Sequence, residues 1–451
     1  MREQHPELPA GEETESHFRL AGRIAARRGH GKASFIDLVD RTGRLQLHAR
    51  ADALGEESYE RLLSLDLGDL IGVDGVAMAT RRGELSLRVD DWTLLAKSLR
   101  APPEKFHGLE DTETRYRQRE LDLIANEEAR DLFILRSKVI SAVRRWLDEH
   151  GFYEVETPVL QPLYGGAMAR PFTTHFNALD RDFYLRIATE LYLKRLLVGG
   201  LEKVYEIGKN FRNEGLSHKH NPEFTVLEWY EAYSDYDDVA RHLEELVSSV
   251  ARELGYDGDI DFTPPWKRVT LTAAIEEATG LDVLSLRDRD QLVAAARDKG
   301  IELDPTETWP QLVDELLSKY VEPHITDPVF ITDYPVELSP LAKTHRTTPG
   351  LVERFECFAG GMEFANAFSE LNDPDEQRLR FEDQKRQLAE GDEEAQPYDE
   401  DFVRALEHGM PPAGGIGVGI DRLVMLLSGR TSIREVVLFP AMRNVPSDRP
   451  E

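Results

Sequence analysis

Gly414-Gly415-Ile416-Gly417-Val418-Gly419-Ile420-Asp421-Arg422 reads as a glycine-rich strand running directly into a helix. Glycines in a strand let a ligand or a neighbouring backbone approach closely. A dinucleotide-binding loop is the obvious rival, but it requires Gly-x-Gly-x-x-Gly inside a strand-helix-strand unit. The glycines here stand at 414, 415, 417 and 419, and no such unit follows. The segment is therefore read as strand and helix, with Arg422 at the start of the helix.

Working back along the chain, Arg354-Phe355-Glu356-Cys357-Phe358-Ala359-Gly360-Gly361-Met362-Glu363 gives two strand segments joined by a glycine turn. That turn can place Glu356 and Glu363 near each other, and two close carboxylates beside a phosphate invite Mg²⁺. Phe211-Arg212-Asn213-Glu214, followed by His220-Asn221-Pro222-Glu223-Phe224, looks like strand, loop and strand with an arginine held beside a polar loop. Arginine suits such a place because its planar, permanently charged fork can bridge a carboxylate and a phosphate. Leu132, Leu135, Val139, Val143 and Trp146 follow helical spacing, and Gly151 stands where a helix C-cap is wanted. Further strand-like runs at Tyr184 to Ile187, Val204 to Ile207, Phe224 to Trp229 and Phe355 to Ala359 alternate with helices such as Asp238 to Leu254. Residues from about 265 to 335 read as a mostly helical, acidic insertion at the edge of this large α+β domain, without chemistry of its own.

The first part of the chain is different. From 17 to about 98, short alternating segments such as Phe18-Arg19-Leu20, Ser34-Phe35-Ile36-Asp37-Leu38 and Leu45-Gln46-Leu47 are separated by turn signals and interrupted by a helical stretch near Glu56 to Leu65. That pattern is expected of a five-stranded OB-fold barrel, which binds oligonucleotides on one face. Arg27, Arg28 and Lys32 precede Phe35, and Gln46 follows on the next strand; an aromatic with basic flanks suits splayed bases. The expected organisation is a short polar segment 1–16, a barrel 17–98, a linker 99–125, a large α+β domain 126–443 and a tail 444–451.

With 451 residues, more than one hydrophobic core is expected. Against 55 basic residues stand 84 acidic ones, a net charge of -29 that opposes nonspecific coating of nucleic acid but leaves room for a local basic face. The single Cys357 excludes an intrachain disulfide and a multi-thiolate zinc site, so no zinc is expected. Met1 to Glu15 is polar and acidic, without the order of a secretory signal, and no apolar run approaches a membrane span. A cytoplasmic protein is expected.

Together with Gly151-Phe152-Tyr153-Glu154-Val155-Glu156-Thr157-Pro158, the segments around Arg212 and Arg422 resemble the three signature motifs of the class II aminoacyl-tRNA synthetases, in a match that runs from Leu20 to Arg443. The resemblance implies an N-terminal OB-fold and a catalytic domain built on an antiparallel β-sheet flanked by helices, with the first motif forming a homodimer interface. It implies ATP bound by Arg212, Glu214, Lys219, His220, Asn221, Phe224 and Arg422. Phe224 and Arg422 would sandwich adenine, and Glu356 and Glu363 would hold Mg²⁺. Many relatives carry arginine where this chain has Lys219.

Ala188-Thr189-Glu190-Leu191-Tyr192-Leu193-Lys194-Arg195 and Asn366-Ala367-Phe368-Ser369-Glu370-Leu371-Asn372-Asp373 resemble the lysine-specific members rather than the aspartyl and asparaginyl ones. A buried ε-ammonium needs anionic partners, whereas an aspartate pocket would need cationic ones. By this resemblance Gly166 and Glu190 take the α-ammonium, while Arg212 and Asn366 take the carboxylate. Phe368 packs on the aliphatic stem, and Glu228, Tyr230 and Glu370 receive the ε-ammonium. In the barrel, Phe35 would stack on the central anticodon uridine of tRNA(Lys), with Gln46 and Glu84 reading base edges and Arg27, Arg28 and Lys32 beside them. Two other readings stand beside this one: a lysine-activating relative with a non-tRNA acceptor, and an inactive tRNA-binding regulator.

Overall fold

The computed structural model describes the whole chain except residues 3, 6, 7, 104–108, 391–394 and 444–451, so the expected tail 444–451 lies outside the described residues. The chain divides into two compact units, Met1–Glu127 and Glu128–Glu451.

In the first unit β1 (Glu13–His30), β2 (Ala33–Asp40), β3 (Gly43–Arg50), β4 (Leu70–Ala79) and β5 (Leu85–Ala96) close into a barrel in the order β1-β2-β3-β5-β4. Closure depends on the long β1. Its first part pairs with β4 and its second with β2, the switch being eased by a register shift between Ile24 and Ala26. Ile24, Ile36, Leu38, Leu47, Val73 and Leu87 fill the interior. The expected helical stretch is Glu56–Leu63, whose Tyr59 and Leu62 are buried. The barrel begins at Glu13, inside the segment expected to precede it. Glu13 pairs with Met78 through its backbone and with Arg88 through its carboxylate, neither of which leaves an apolar pattern to read.

The second unit carries β6 (Tyr153–Glu154), β7 (Leu160–Gln161), β8 (Thr173–Phe176), β9 (Arg181–Leu185), β10 (Lys203–Phe211), β11 (Glu223–Ala232), β12 (Lys267–Thr270), β13 (Val329–Thr332), β14 (Arg354–Ala359), β15 (Met362–Ser369) and β16 (Ala413–Gly419). β7, β9 and β8 form a small sheet; the others form one large sheet in the order β12-β13-β14-β15-β16-β11-β10-β6. The expectation of an antiparallel sheet holds for its six central strands. At each end a parallel pair is added, β12 with β13 and β10 with β6. Parallel neighbours need a crossover, and for β12 and β13 it is the helical stretch 271–324. The expected insertion 265–335 is therefore not an appendage: its two ends are strands of the central sheet.

Helices Glu127–Glu149, Tyr236–Glu253 and Ile420–Ser428 pack on one face of the sheet, burying Val143, Trp146, Leu243, Val247 and Leu423 against Leu227, Trp229, Phe355, Cys357 and Ile416. Gly151 closes the first helix at φ 80°, with Gly151 N donating to Asp148 O and Phe152 N to Leu147 O. Strand residues alternate between faces, so Glu228, Tyr230, Arg354, Glu356, Asn366 and Phe368 look away from these helices. That second face carries the site.

At the β10–β11 pair, Glu231 lies beside Lys203 and 3.2 Å from His242 Nδ1. Burial alone would raise its pKa, but the interactions with His242 and Lys203 outweigh burial and hold the carboxyl at about 2, against an ordinary 4.5. A depressed carboxylate contributes stability that is present above its unfolded pKa and lost as pH falls towards the folded one. Between pH 4.5 and 2 the chain is therefore expected to lose up to ~3 kcal/mol through this group. Glu231→Gln should flatten the acid limb of a melting-temperature profile; unchanged slopes would contradict the assignment.

Candidate active site and barrel face

The open face of β14, β15, β16 and β11 floors a cavity of about 400 Å³. Register aligns Glu228, Gly417, Asn366 and Glu356 in one row and Tyr230, Gly415, Phe368 and Arg354 in the next. The glycines of β16 make the room. A Cβ on Gly415 would lie 2.1 Å from Glu370 Oε1 and 2.4 Å from the Tyr230 ring. Gly166, Glu190, Arg212, Glu214, Lys219, His220, Asn221, Phe224, Glu228, Tyr230, Glu363, Asn366, Phe368 and Arg422 all line the cavity, whereas Glu356 and Glu370 do not.

At one end stands Arg212, just past β10, its backbone N–H donating to Pro222 O at 2.9 Å to close the 212–222 loop. Its guanidinium lies 5.2 Å from the centre of the Phe224 ring, and among the described residues no hydrogen bond reaches its buried Nε. Burial pulls this guanidinium below its ordinary pKa while Glu214 and Glu363 push it up. Ser217 Oγ accepts from the backbone N–H groups of Lys219 and His220 and pins the loop. Lys219 ion-pairs with Glu322 and donates to Gly361 O at 2.8 Å. Glu322 belongs to the stretch expected to lack chemistry, so that stretch in fact anchors the loop. His220 is held below its ordinary pKa by burial and by Arg422.

Arg422 lies 2.5 Å from Glu363 Oε2 and 3.3 Å from His220 Nε2. The preceding Asp421 is buried, accepts from Thr225 N at 2.8 Å and pairs with Arg136 at 2.6 Å, which locks the helix start onto β11. The guanidinium over the Phe224 ring in this structure is that of Arg212.

Glu363 faces the same side as Glu356 because of a bulge. A register shift in the β14–β15 pair places both Phe364 and Ala365 in the core, which brings Glu363 round to the open face. Glu356 accepts from Tyr334 Oη at 2.9 Å and from Arg354 at 2.5 Å. Burial pushes its carboxyl to about 7, with Glu363 and Asp314 adding to the shift despite Arg354. Each carboxylate already faces an arginine, Glu356 with Arg354 and Glu363 with Arg422; with phosphate and water supplying the remaining ligands, such a pair suits a divalent cation. Among the described residues no group of three or more His, Cys, Asp or Glu side chains forms a metal cage.

At the other end Glu228 accepts from Thr189 N and from Tyr230 Oη, each at 3.1 Å. Gly166, at φ 86°, donates its N–H to Gln396 at 3.0 Å, and a Cβ there would lie 3.1 Å from Glu190 Cβ. Arg354 Nε donates to Asn366 Oδ1 at 3.0 Å. Glu370 lies just beyond the lining, beside Gly415. It is fully buried behind the cavity wall and ion-paired with Lys194, which lies one helical turn beyond Glu190 and 2.5 Å from its Oε1.

On the barrel, β1, β2, β3 and β5 set Arg28, Phe35, His48 and Arg88 in one row, with Asp37, Gln46 and Ser86 in the next. Phe35 and His48 stack at 4.8 Å between ring centroids. Arg28 donates to Gln46, whose Nε2 donates to Ser86 Oγ at 2.8 Å. Glu84 is exposed in the turn leading into β5, and Lys32 is exposed in the β1–β2 turn. Arg27 does not join this row. It donates to Leu63 O and Leu65 O beyond the barrel helix, because neighbouring strand residues face opposite ways.

No helix among the described residues is long and apolar enough to cross a membrane. The sequence profile of the tRNA synthetases class II (D, K and N) matches residues 111–443, and that of the OB-fold nucleic acid binding domain matches residues 18–95. A lysine-tRNA ligase of Moorella thermoacetica is 56% identical over 450 residues, covering 98% of this chain and 91% of that protein. Lysine-tRNA ligases of Carboxydothermus hydrogenoformans and Halalkalibacterium halodurans are 54% and 51% identical, over 94% and 96% of this chain and 88% of each relative. With two signature arginines on one cavity and a nucleic-acid-type barrel beside them in the sequence, the chain belongs to the class II tRNA synthetases of the D, K and N group, in the lysine-tRNA ligase family.

Proposed function

We infer that the chain activates L-lysine with ATP and transfers it to the terminal adenosine of tRNA(Lys). The observation that carries this is the polarity of the cavity: at one end an arginine whose buried Nε has no hydrogen-bond partner among the described residues, and at the other buried Glu190 and Glu228 with Tyr230. Only an amino acid with a distal cation satisfies both ends. Glu228 and Tyr230 receive the ε-ammonium, Phe368 lies along the stem, and Gly166 with Glu190 takes the α-ammonium. Arg212 and Asn366 orient the carboxylate, while Phe224, Glu214, Asn221, Lys219, His220 and Arg422 hold the nucleotide.

The lysine carboxylate oxygen forms a bond to the α-phosphorus of ATP as the bond to the bridging oxygen breaks, and pyrophosphate leaves. Arg212 stabilises the charge that gathers on the α-phosphoryl oxygens, and the fixed pocket supplies proximity; no side chain acts as nucleophile. The 3′-hydroxyl of the terminal adenosine then attacks the carbonyl of the mixed anhydride and AMP departs. Glu356 and Glu363 would hold Mg²⁺, which when bound neutralises phosphate charge. A second copy of the chain and a cytoplasmic location complete the proposal; exposed Tyr153 in the first motif, with exposed Val159 and Leu160 directly after it, supports the dimer.

Transfer of labelled lysine to purified tRNA tests this reading; adenylate formation without transfer would favour a different acceptor. The barrel face is tested by Phe35→Ala. Loss of one base stack is worth ~1–3 kcal/mol, so kcat/KM for charging should fall by roughly 5- to 150-fold. Pyrophosphate exchange, which uses no tRNA, should be unchanged. Equal charging by parent and variant would remove Phe35 from the interface.

A further inference from the structure

Behind the Glu190 and Glu228 end of the cavity lies a buried cation of the chain's own. Lys194 is fully buried on the helix Glu190–Val198, its Nζ 2.5 Å from Glu190, ion-paired with Glu370, and 5.4 Å from the Phe368 ring centre. Glu190, Glu228 and Glu370 are all buried, and Lys194 is the only cation joined to any of them by an ion pair among the described residues. The nearby arginines are committed elsewhere, Arg186 to Glu206 and Arg354 to Glu356. Three carboxylates against one ammonium leave two uncompensated negative charges. Lysine carries two ammonium groups.

We propose that Lys194 is a specificity-determining positioning residue, a built-in third ammonium that sets the charge of the pocket to complement the two ammonium groups of the substrate. This rests on the lysine-activating reading above. Uncompensated charge is costly in a buried place, so the pocket is tuned to a ligand that brings two positive charges. With Lys194 neutralised, Glu370 would be left without a counter-cation and would compete for the substrate's ammonium or for a proton. Burial pushes Glu190, Glu228 and Glu370 above the ordinary carboxylate range, as expected of carboxylates awaiting more positive charge.

The test is a double-mutant cycle, Lys194→Met, Glu370→Gln and both together, read by lysine-dependent ATP–pyrophosphate exchange and by thermal unfolding. Each single change should raise the KM for lysine at least ~10-fold, as expected when one partner of a buried pair is removed. The KM for ATP should stay near that of the parent. The double variant, whose pocket charge equals the parent's, should recover most of the lost lysine affinity. An unchanged lysine KM in Lys194→Met, or a double variant no better than the poorer single, overturns the proposal. If Lys194→Met does not fold, the comparison of the double variant with Glu370→Gln decides alone. A parent without lysine-dependent exchange would remove the functional reading itself; a parent that exchanges and a double variant that does not recover removes only the charge-balance role.

Discussion

Replacing Arg212 with alanine is expected to lower lysine-dependent exchange by at least ~10²-fold, the loss that follows deletion of one preorganised charge donor at a reacting centre. The guanidinium lines the cavity, its Nε has no partner among the described residues, and no ion pair joins it to a described acid. Its field is therefore available to a ligand rather than spent within the protein. Arg212→Lys should fall between parent and alanine, because it keeps the charge but loses the planar fork. The measurement is exchange rate at saturating lysine and ATP. A rate within a few-fold of the parent would place the phosphate-facing charge elsewhere, with Arg422 the remaining candidate.

Glu228→Gln is expected to reduce kcat/KM for lysine by ~10²-fold or more, since breaking a buried charge pair costs ~3–5 kcal/mol and each 1.4 kcal/mol is tenfold. Glu228 is the sharper choice because it lines the cavity and, among the described residues, no cation forms an ion pair with it, while Glu370 is already engaged by Lys194. Glutamine keeps the size and one acceptor oxygen, which can still accept from Thr189 N or Tyr230 Oη. A neutral analogue of similar length should lose far less than lysine. Equal weakening of both would mean that Glu228 supports the strand rather than reading the side chain.

Much of the site was legible because its parts are local in sequence. Glycines at alternate positions 415, 417 and 419 announce a strand face with no side chains, and that is how β16 lies under the cavity. Arg212 and the 217–222 loop were readable as one polar turn between strands. What stayed hidden depends on distant pairing. Glu322 reaches Lys219 across 103 positions, and Gln396 reaches Gly166 across 230. Lys194 lay in plain sight at i+4 from Glu190, but only its pairing with Glu370 shows that it is buried charge rather than a solvated helix residue. Arg354 was quoted only as a strand residue, and its hold on Asn366 depends on register. The short parallel strands β12 and β13 were absorbed into a helical insertion because four residues carry too little periodicity to register. Arg27 shows the opposite error: adjacency to Arg28 suggested a shared face that strand alternation forbids.

Amino-acid-dependent ATP–pyrophosphate exchange with lysine, aspartate and asparagine as separate substrates tests the central claim most directly, because the three specificities share this fold and differ in the charge of one pocket. The buried Glu190 and Glu228 predict exchange with lysine alone. Exchange driven by aspartate or asparagine, or no exchange with lysine, would contradict it.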